Sequence, residues 1–278
     1  AAAFNTPLAG IMFAIEELSR TPEQRSSGLL MSAIVLAGLM AVSVYGNATY
    51  FGIIHASGID LSLLPAGLLV ALVSGGLGGL FSRLLQASLG GKGRDWMSRL
   101  RKARPVLFAA VCGLLVGLIG FVSGGATFGS GYNHTRDMLA GLETLPALFL
   151  LLKFVATWLT TWSGVPAGIF APSLAIGAAI GNDIALLLHS PNATALIALG
   201  MVGFLAAATQ APLTSFIIVM EMVDGHSMVL SLMACAMVAR TVSRVIGAPL
   251  YGVLAQQQLV NAIDAVGPAD VAGGVKKA

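Results

Sequence analysis

The chain has 278 residues, 56% of them hydrophobic and only 10% charged, with a mean hydropathy of +0.88, against about 25% charged residues in a soluble domain. This composition excludes an ordinary soluble enzyme or binding module and describes a chain built for lipid. The formal charge of +3 comes from 15 Lys and Arg against 12 Asp and Glu; the basic residues fall in a few clusters, which read as a membrane-orienting bias rather than a nucleic-acid surface.

Residues 1–18 read AAAFNTPLAGIMFAIEEL: an alanine run, Pro7-Leu8, an apolar stretch, and the paired carboxylates Glu16 and Glu17. No Met and no basic region stand ahead of them, so no signal peptide is visible and the chain is expected to be cut at its front. Uncharged stretches follow at 26–54, 61–82, 105–135, 154–182 and 193–220, each long enough for a ~30 Å hydrocarbon core, which takes about 20 helical residues. Lys92, Arg94, Arg99, Arg101, Lys102 and Arg104 form the densest basic loop, expected on the cytoplasmic side. Counting back one crossing per stretch puts 47–60 outside, with Asp60 its only charge, and Arg20 and Arg25 inside. Gly129-Ser130-Gly131-Tyr132 reads as an external loop and turn. Trp158 and Trp162, at i,i+4 spacing with Lys153 nearby, read as an interfacial belt or a packing stripe. A further external turn falls at Asp224-Gly225, and the segment that begins near His226 closes inside at Arg240 and Arg244. Cys112 and Cys235 both lie in apolar runs and read as small core residues rather than a disulfide or metal site. Thirty-four glycines suggest close helix packing and helices broken inside the membrane.

An internal repeat relates residues 1–18 to residues 206–223, AAATQAPLTSFIIVMEMV. The alanine triplet, Pro7/Pro212, Leu8/Leu213 and Glu16/Glu221 coincide. By the orientation count the first copy ends inside and the second outside. That predicts an inverted-topology repeat, in which half-helices from both copies meet near the bilayer midplane and bind the substrate there. The second copy is preceded by a matching unit at about 146–205, and its counterpart before the first copy is expected to be missing.

The segment 163–181, SGVPAGIFAPSLAIGAAIG, combines a Gly/Pro-rich approach with a clean apolar helix. Gly164, Pro166 and Gly168 discourage helix before position 169, while Pro172 suits a first helical turn. A helix that starts inside the membrane leaves backbone N–H groups without intrahelical partners at the positive end of its dipole. An anion can satisfy them; the alternative is a kink whose N–H groups meet a neighbouring carbonyl.

Gly168-Ile169-Phe170-Ala171-Pro172 resembles the GIFAP motif of the CLC family of chloride channels and chloride/proton antiporters. The opening AAAFNTPLAGIMFAIEEL is similar to the stretch that follows that family's gating-glutamate motif, and Pro249-Leu250-Tyr251 to the segment that carries its ion-binding tyrosine. The resemblance implies an anion site made by the backbone of Gly168, Ile169, Phe170 and Ala171, with the amides of Ile169 and Phe170 as donors, and by the Tyr251 hydroxyl. It implies that Glu17, matching the second residue of the family's Glu-Glu pair, is the inner proton relay of an antiporter; the alternative is an interfacial carboxylate paired with Arg20 or Arg25. Ala167 stands where many members have a second glycine. Two family motifs, the Gly-Ser-Gly-Ile-Pro loop and the loop of the external gating glutamate, lie upstream of residue 1 in the family's order.

Carboxylates within apolar segments are costly and rare, which singles out Glu16, Glu17 and Glu221; for Glu16 and Glu221 the reading is a helix-end carboxylate bonded to backbone or to a neighbouring helix. His55, His134, His189 and His226 stand near segment ends and none pairs with Cys, Asp or Glu at ligand spacing. No phosphate loop, nucleophile motif or HExxH is present. The expectation is therefore an all-α polytopic membrane protein with broken, re-entrant helices and an inverted-topology repeat: a membrane domain over 1–262 and a short tail over 263–278. Full-length, it would exchange chloride or a similar monovalent anion for protons. The alternatives are a passive voltage-gated-type chloride channel and, more distantly, an intramembrane enzyme, for which no Ser–His or paired-Asp arrangement is evident. No cofactor, metal or nucleic acid is expected; the partners are chloride, protons and the bilayer, in a homodimer of the bacterial inner membrane.

Overall fold

The computed structural model describes residues 2–18, 24–46, 49–53, 63–89 and 96–266. Arg20, His55, Asp60, Lys92, Arg94 and most of the expected tail lie outside these residues. Twelve α-helices make up the described chain, with no strand among the described residues. They are α1 (Pro7–Phe13), followed by a π-turn (Ala14–Leu18), α2 (Gln24–Tyr45), α3 (Leu64–Leu89), α4 (Trp96–Ala103), α5 (Pro105–Val122), α6 (Tyr132–Leu139), α7 (Ala147–Trp162), α8 (Phe170–Leu187), α9 (Ala193–Thr209), α10 (Pro212–Val223), α11 (Val229–Ile246, after a 3₁₀ turn at His226–Met228) and α12 (Leu250–Val266).

The uncharged stretches do not map one-to-one onto helices, and the break before position 169 falls where Gly164, Pro166 and Gly168 discourage helix. Stretch 105–135 stops being helical at Val122, stretch 154–182 is broken between Trp162 and Phe170, and stretch 193–220 is broken at Gln210-Ala211. The cause is local: Gly164 takes a left-handed φ of +83°, Gln210 one of +61°, and Pro172 and Pro212 cannot donate into a preceding turn. Among the described residues four helices have the length and apolarity to cross a membrane, Leu64–Leu89, Pro105–Val122, Phe170–Leu187 and His226–Ile246. Shorter apolar helices accompany them at Gly28–Val44, Ala147–Trp162, Ala193–Thr209 and Pro212–Val223.

The core forms around α9, whose sequence is apolar all round; every residue from Ala195 to Thr209 is buried, as an unpatterned apolar helix must be. It is flanked by α3, α8, α10 and α11. The α8–α9 crossing is backbone against backbone: a methyl added at Gly177 or Gly181 would run into the backbone of Gly200–Met201 or Leu196–Ile197. Gly177 and Gly181 form the small-xxx-small pattern that lets membrane helices approach this closely. On the outside, α5 leaves Val106 82% and Phe121 84% exposed, surface that is stable only against hydrocarbon.

The repeat is visible in the backbone. Asn5 and its equivalent Gln210 both have left-handed φ, +53° and +61°. Thr6 and Ala211 then take nearly the same extended geometry, ψ 79° and 80°, each followed by a proline that opens a helix. Gly10 N–H donates to Thr6 O, and Ser215 N–H to Ala211 O, both at 3.1 Å. The two copies, α1 and α10, pack against each other.

Candidate functional site

α1, α10 and α8 are among the helices that begin beside a proline after a break in the chain. Each such start presents backbone N–H groups that lack an intrahelical acceptor. In α1 and α10 the opposite repeat supplies one. Glu221 accepts from Leu8 N–H (3.1 Å) and Ala9 N–H (2.8 Å), and Glu16 accepts from Leu213 N–H (3.1 Å) and Thr214 N–H (2.8 Å). The two pairs are exchanged by the repeat. Each carboxylate sits at the far end of one copy and reaches the start of the other, so the two helices run antiparallel, as an inverted repeat requires. Both glutamates bond to a neighbouring helix, in agreement with the sequence reading.

The start of α8 is different. Its N-cap position is Ile169, which has no side chain able to accept, and no side chain caps it. Ser173 N–H donates to Ile169 O at 3.0 Å to begin the helix. The amide N–H groups of Ile169 and Phe170 donate to no described residue. Residues 169–172 are half-buried and Gly168 is exposed, whereas α8 is buried from Ser173 to Asn182.

That helix start opens onto a cavity of about 620 Å³ lined by Gly168, Phe170, Ala171, Pro172, Lys153 and Thr157, together with Phe4, Thr127 and Ser130. Lys153 is 2% exposed, the seventh residue of the sixteen in α7. Its Nζ donates to Thr127 O at 2.9 Å and Gly129 O at 2.8 Å. An ammonium has three N–H donors, and these two bonds leave one. The threonine hydroxyls on the same wall are turned inward: Thr157, Thr160 and Thr161 donate to Lys153 O, Ala156 O and Thr157 O. Positive charge and donors in the cavity therefore come from Lys153 and the α8 backbone. Sequence reasoning missed Lys153 by placing it with the tryptophans. Trp158 and Trp162 form the packing stripe, stacked at 4.9 Å, with Trp158 Nε1 donating to Ser88 Oγ at 3.0 Å; Lys153 is no interfacial residue.

On the other side of the α8 start lies an aromatic cluster. Tyr251, on the first turn of α12, stacks on Phe170 with ring centroids 6.4 Å apart. Phe13, the last residue of α1, meets Phe170 edge-on at 5.6 Å and Tyr251 at 6.4 Å. Tyr251 is thus brought beside the first turn of α8, and Phe13 joins it from the first repeat. The π-turn that follows Phe13 carries both Glu16 and Glu17; such wide turns recur at functional positions. Glu16 faces the start of α10, while Glu17 lies in the neighbourhood of Tyr251. The expected pairing of Glu17 with Arg20 or Arg25 falls on side chains outside those described.

Two of the histidines stand beside an acidic side chain. His134 Nδ1 lies 2.9 Å from Glu143 Oε2, and His226 Nε2 lies 3.4 Å from Asp224 Oδ1. Cys112 and Cys235 are buried free thiols, as read from sequence. No group of His, Cys, Asp and Glu able to hold a metal is found among the described residues.

Residues 1–244 match the family described as voltage gated chloride channel. Among solved structures the chain is similar to a slow cyanobacterial Cl⁻/H⁺ antiporter, at 26% identity and a TM-score of 0.73 over 93% of this chain and 62% of that one. It is also similar in fold to a CLC-type fluoride/proton antiporter (22% identity, TM-score 0.74, 90% of this chain and 61% of that one). A eukaryotic CLC transporter aligns at 20% identity and a TM-score of 0.66, over 92% of this chain and 44% of that one. The chain therefore spans 62% or less of the length of each of these proteins.

Proposed function

The chain belongs to the voltage gated chloride channel family, and from that premise we propose that the amides of Ile169 and Phe170, within the Gly168–Ala171 turn, and the Tyr251 hydroxyl hold a transported monovalent anion, chloride or one like it. The observation that carries this reading is the contrast between helix starts: α1 and α10 are each capped by a carboxylate from the other repeat, and α8 has no cap and faces a cavity. Positive charge from the α8 dipole and from Lys153 favours an anion there and disfavours a cation. Phe13, Phe170 and Tyr251 pack ring to ring beside this position.

The whole protein, on this reading, exchanges the anion for protons, with Glu17 taking up and releasing the proton near Tyr251. It acts in the bilayer as a homodimer, with residues 1–262 forming part of its membrane domain and 263–278 following them. Full-length protein reconstituted in vesicles tests the exchange by parallel measurement of proton uptake and anion efflux. Glu17→Gln is expected to abolish proton movement and leave anion flux. Persistent proton coupling in that variant removes Glu17 from the relay, and anion flux without protons in the unmodified protein establishes the passive channel instead. Tyr251→Phe removes one donor to a charged group, worth about 1.5–3 kcal/mol, and is expected to weaken anion binding by the corresponding factor in calorimetric titration.

A further inference from the structure

We propose that Gln86 and Gln210 are positioning residues for Tyr251, acting through the carbonyls of the linker that delivers this tyrosine to the start of α8. The proposal rests on the reading of Tyr251 as an anion donor and adds to it the side chains that set its place.

Three residues, Gly247-Ala248-Pro249, separate α11 from α12, and Tyr251 is the second residue of α12. Carbonyls in such a linker need donors of their own. Pro249 O accepts from Val253 N–H at 3.2 Å, within the first turn of α12. The other two are met by side-chain amides: Gln210 Nε2 donates to Gly247 O at 2.9 Å, and Gln86 Nε2 donates to Ala248 O at 2.7 Å. Gln210 stands at the break between α9 and α10, and Gln86 belongs to α3, so two elements distant in sequence grip adjacent residues of the linker. Leu250, fully buried in the main core, anchors the residue that follows. The chain is thus tied at Gly247, Ala248 and Leu250 immediately before Tyr251.

Each amide is itself oriented. Gln86 Nε2 also donates to Ser82 Oγ at 3.1 Å. Gln210 Nε2 lies 3.4 Å from Ser243 Oγ, a hydroxyl whose own proton goes to Ala207 O at 2.6 Å. Gln210 is 6% exposed, so water is no ready substitute for its donor. A carbonyl that loses its amide must move to find another partner, and movement of the linker is carried to the Tyr251 ring.

The same device occurs in the first repeat. Asn5, the equivalent of Gln210, donates from Nδ2 to Gly46 O at 3.2 Å. Gly46 follows α2 as Gly247 follows α11, and each glycine N–H closes the last turn of its helix, on Val42 O at 2.9 Å and on Ser243 O at 3.0 Å. Four residues beyond each glycine stands a tyrosine, Tyr50 and Tyr251. Each enters a ring cluster: Tyr50 meets Phe4 at 5.4 Å and Tyr132 at 4.8 Å, as Tyr251 meets Phe13 and Phe170. The residues between glycine and tyrosine differ, Asn47-Ala48-Thr49 against Ala248-Pro249-Leu250. The shared bond therefore belongs to the architecture of the repeat, in which an amide at the left-handed break holds the carbonyl from which the tyrosine segment departs.

The test uses full-length protein carrying 3-fluorotyrosine, in detergent. Chloride affinity is measured by calorimetric titration, and the fluorine resonance of Tyr251 is assigned by its loss in Tyr251→Phe. Gln86→Met and Gln210→Met keep side-chain length and remove the donor. Each is expected to displace the Tyr251 resonance and to weaken chloride binding by about fivefold, but by less than about twofold where Tyr251→Phe is already present, because residues that act through one group are not additive. Gln86 is half-buried, so its variant carries the test even where Gln210→Met does not fold. An unmoved resonance in Gln86→Met overturns the proposal. So does a chloride affinity unchanged by the glutamine substitutions while Tyr251→Phe lowers it, or lowered equally with and without the Tyr251 hydroxyl. Should Tyr251→Phe alone leave chloride binding unchanged, the anion-donor reading of Tyr251 fails; a resonance that still moves in the glutamine variants then keeps their positioning role, and one that does not ends it.

Discussion

At the scale of single residues, Lys153 carries the heaviest local demand. A buried ammonium is tolerated only where acceptors replace its water, and here they are the carbonyls of Thr127 and Gly129. The loop is shaped to supply them: Gly129 and Gly131 have φ of +63° and +85°, and a methyl on Gly131 would lie 2.6 Å from Ala175 Cβ. Lys153→Met takes the donor from the buried Thr127 carbonyl, at about 1–3 kcal/mol, and from the part-buried Gly129 carbonyl. The expected outcome is a lower thermal midpoint in detergent, together with weaker anion binding in the full-length protein. An unchanged midpoint would mean that water replaces the ammonium. The sequence held the clue, because an ionisable residue midway along an apolar helix is a functional candidate in its own right, as Glu17 was. The nearby tryptophans suggested an interface instead. Phe13 had no such signal; one phenylalanine in an apolar helix looks like any other until the fold sets it against Phe170 and Tyr251.

At the scale of elements, the reciprocal caps explain why two half-helices with such short apolar runs are stable. α1 has only 7 residues and α10 has 12, below the length at which isolated helices hold in water. Each gains a carboxylate on two N–H groups at its first turn, and their distances match in pairs. Replacement of a capping side chain by alanine costs about 0.5–2 kcal/mol. Glu16→Ala and Glu221→Ala should therefore destabilise the protein by similar amounts, measured as shifts of the detergent melt. A large asymmetry between them would show that one cap is dispensable and that the repeat is not an energetic one. The proline-led helix starts were legible in the sequence because Pro7, Pro172 and Pro212 are local signals. That Glu16 reaches Thr214, 198 residues away, was not, since spacing within one segment says nothing about the other copy.

For the whole molecule, the inverted repeat was read from a match of a few residues and is realised in backbone angles and antiparallel packing. The break after Gly164 was legible from its glycines and proline, whereas the one at Gln210 was not, because uncharged length cannot distinguish one straight span from two helices joined there. Those breaks serve the site: they set one uncapped helix start beside both a cavity walled by a buried lysine and an aromatic cluster that holds one tyrosine. The most direct measurement is anomalous scattering from crystals of the full-length protein soaked in bromide. The account predicts a bromide peak within hydrogen-bonding reach of the Ile169 and Phe170 amides and the Tyr251 hydroxyl. Ordered bromide found only elsewhere, with none at the start of α8, would contradict it.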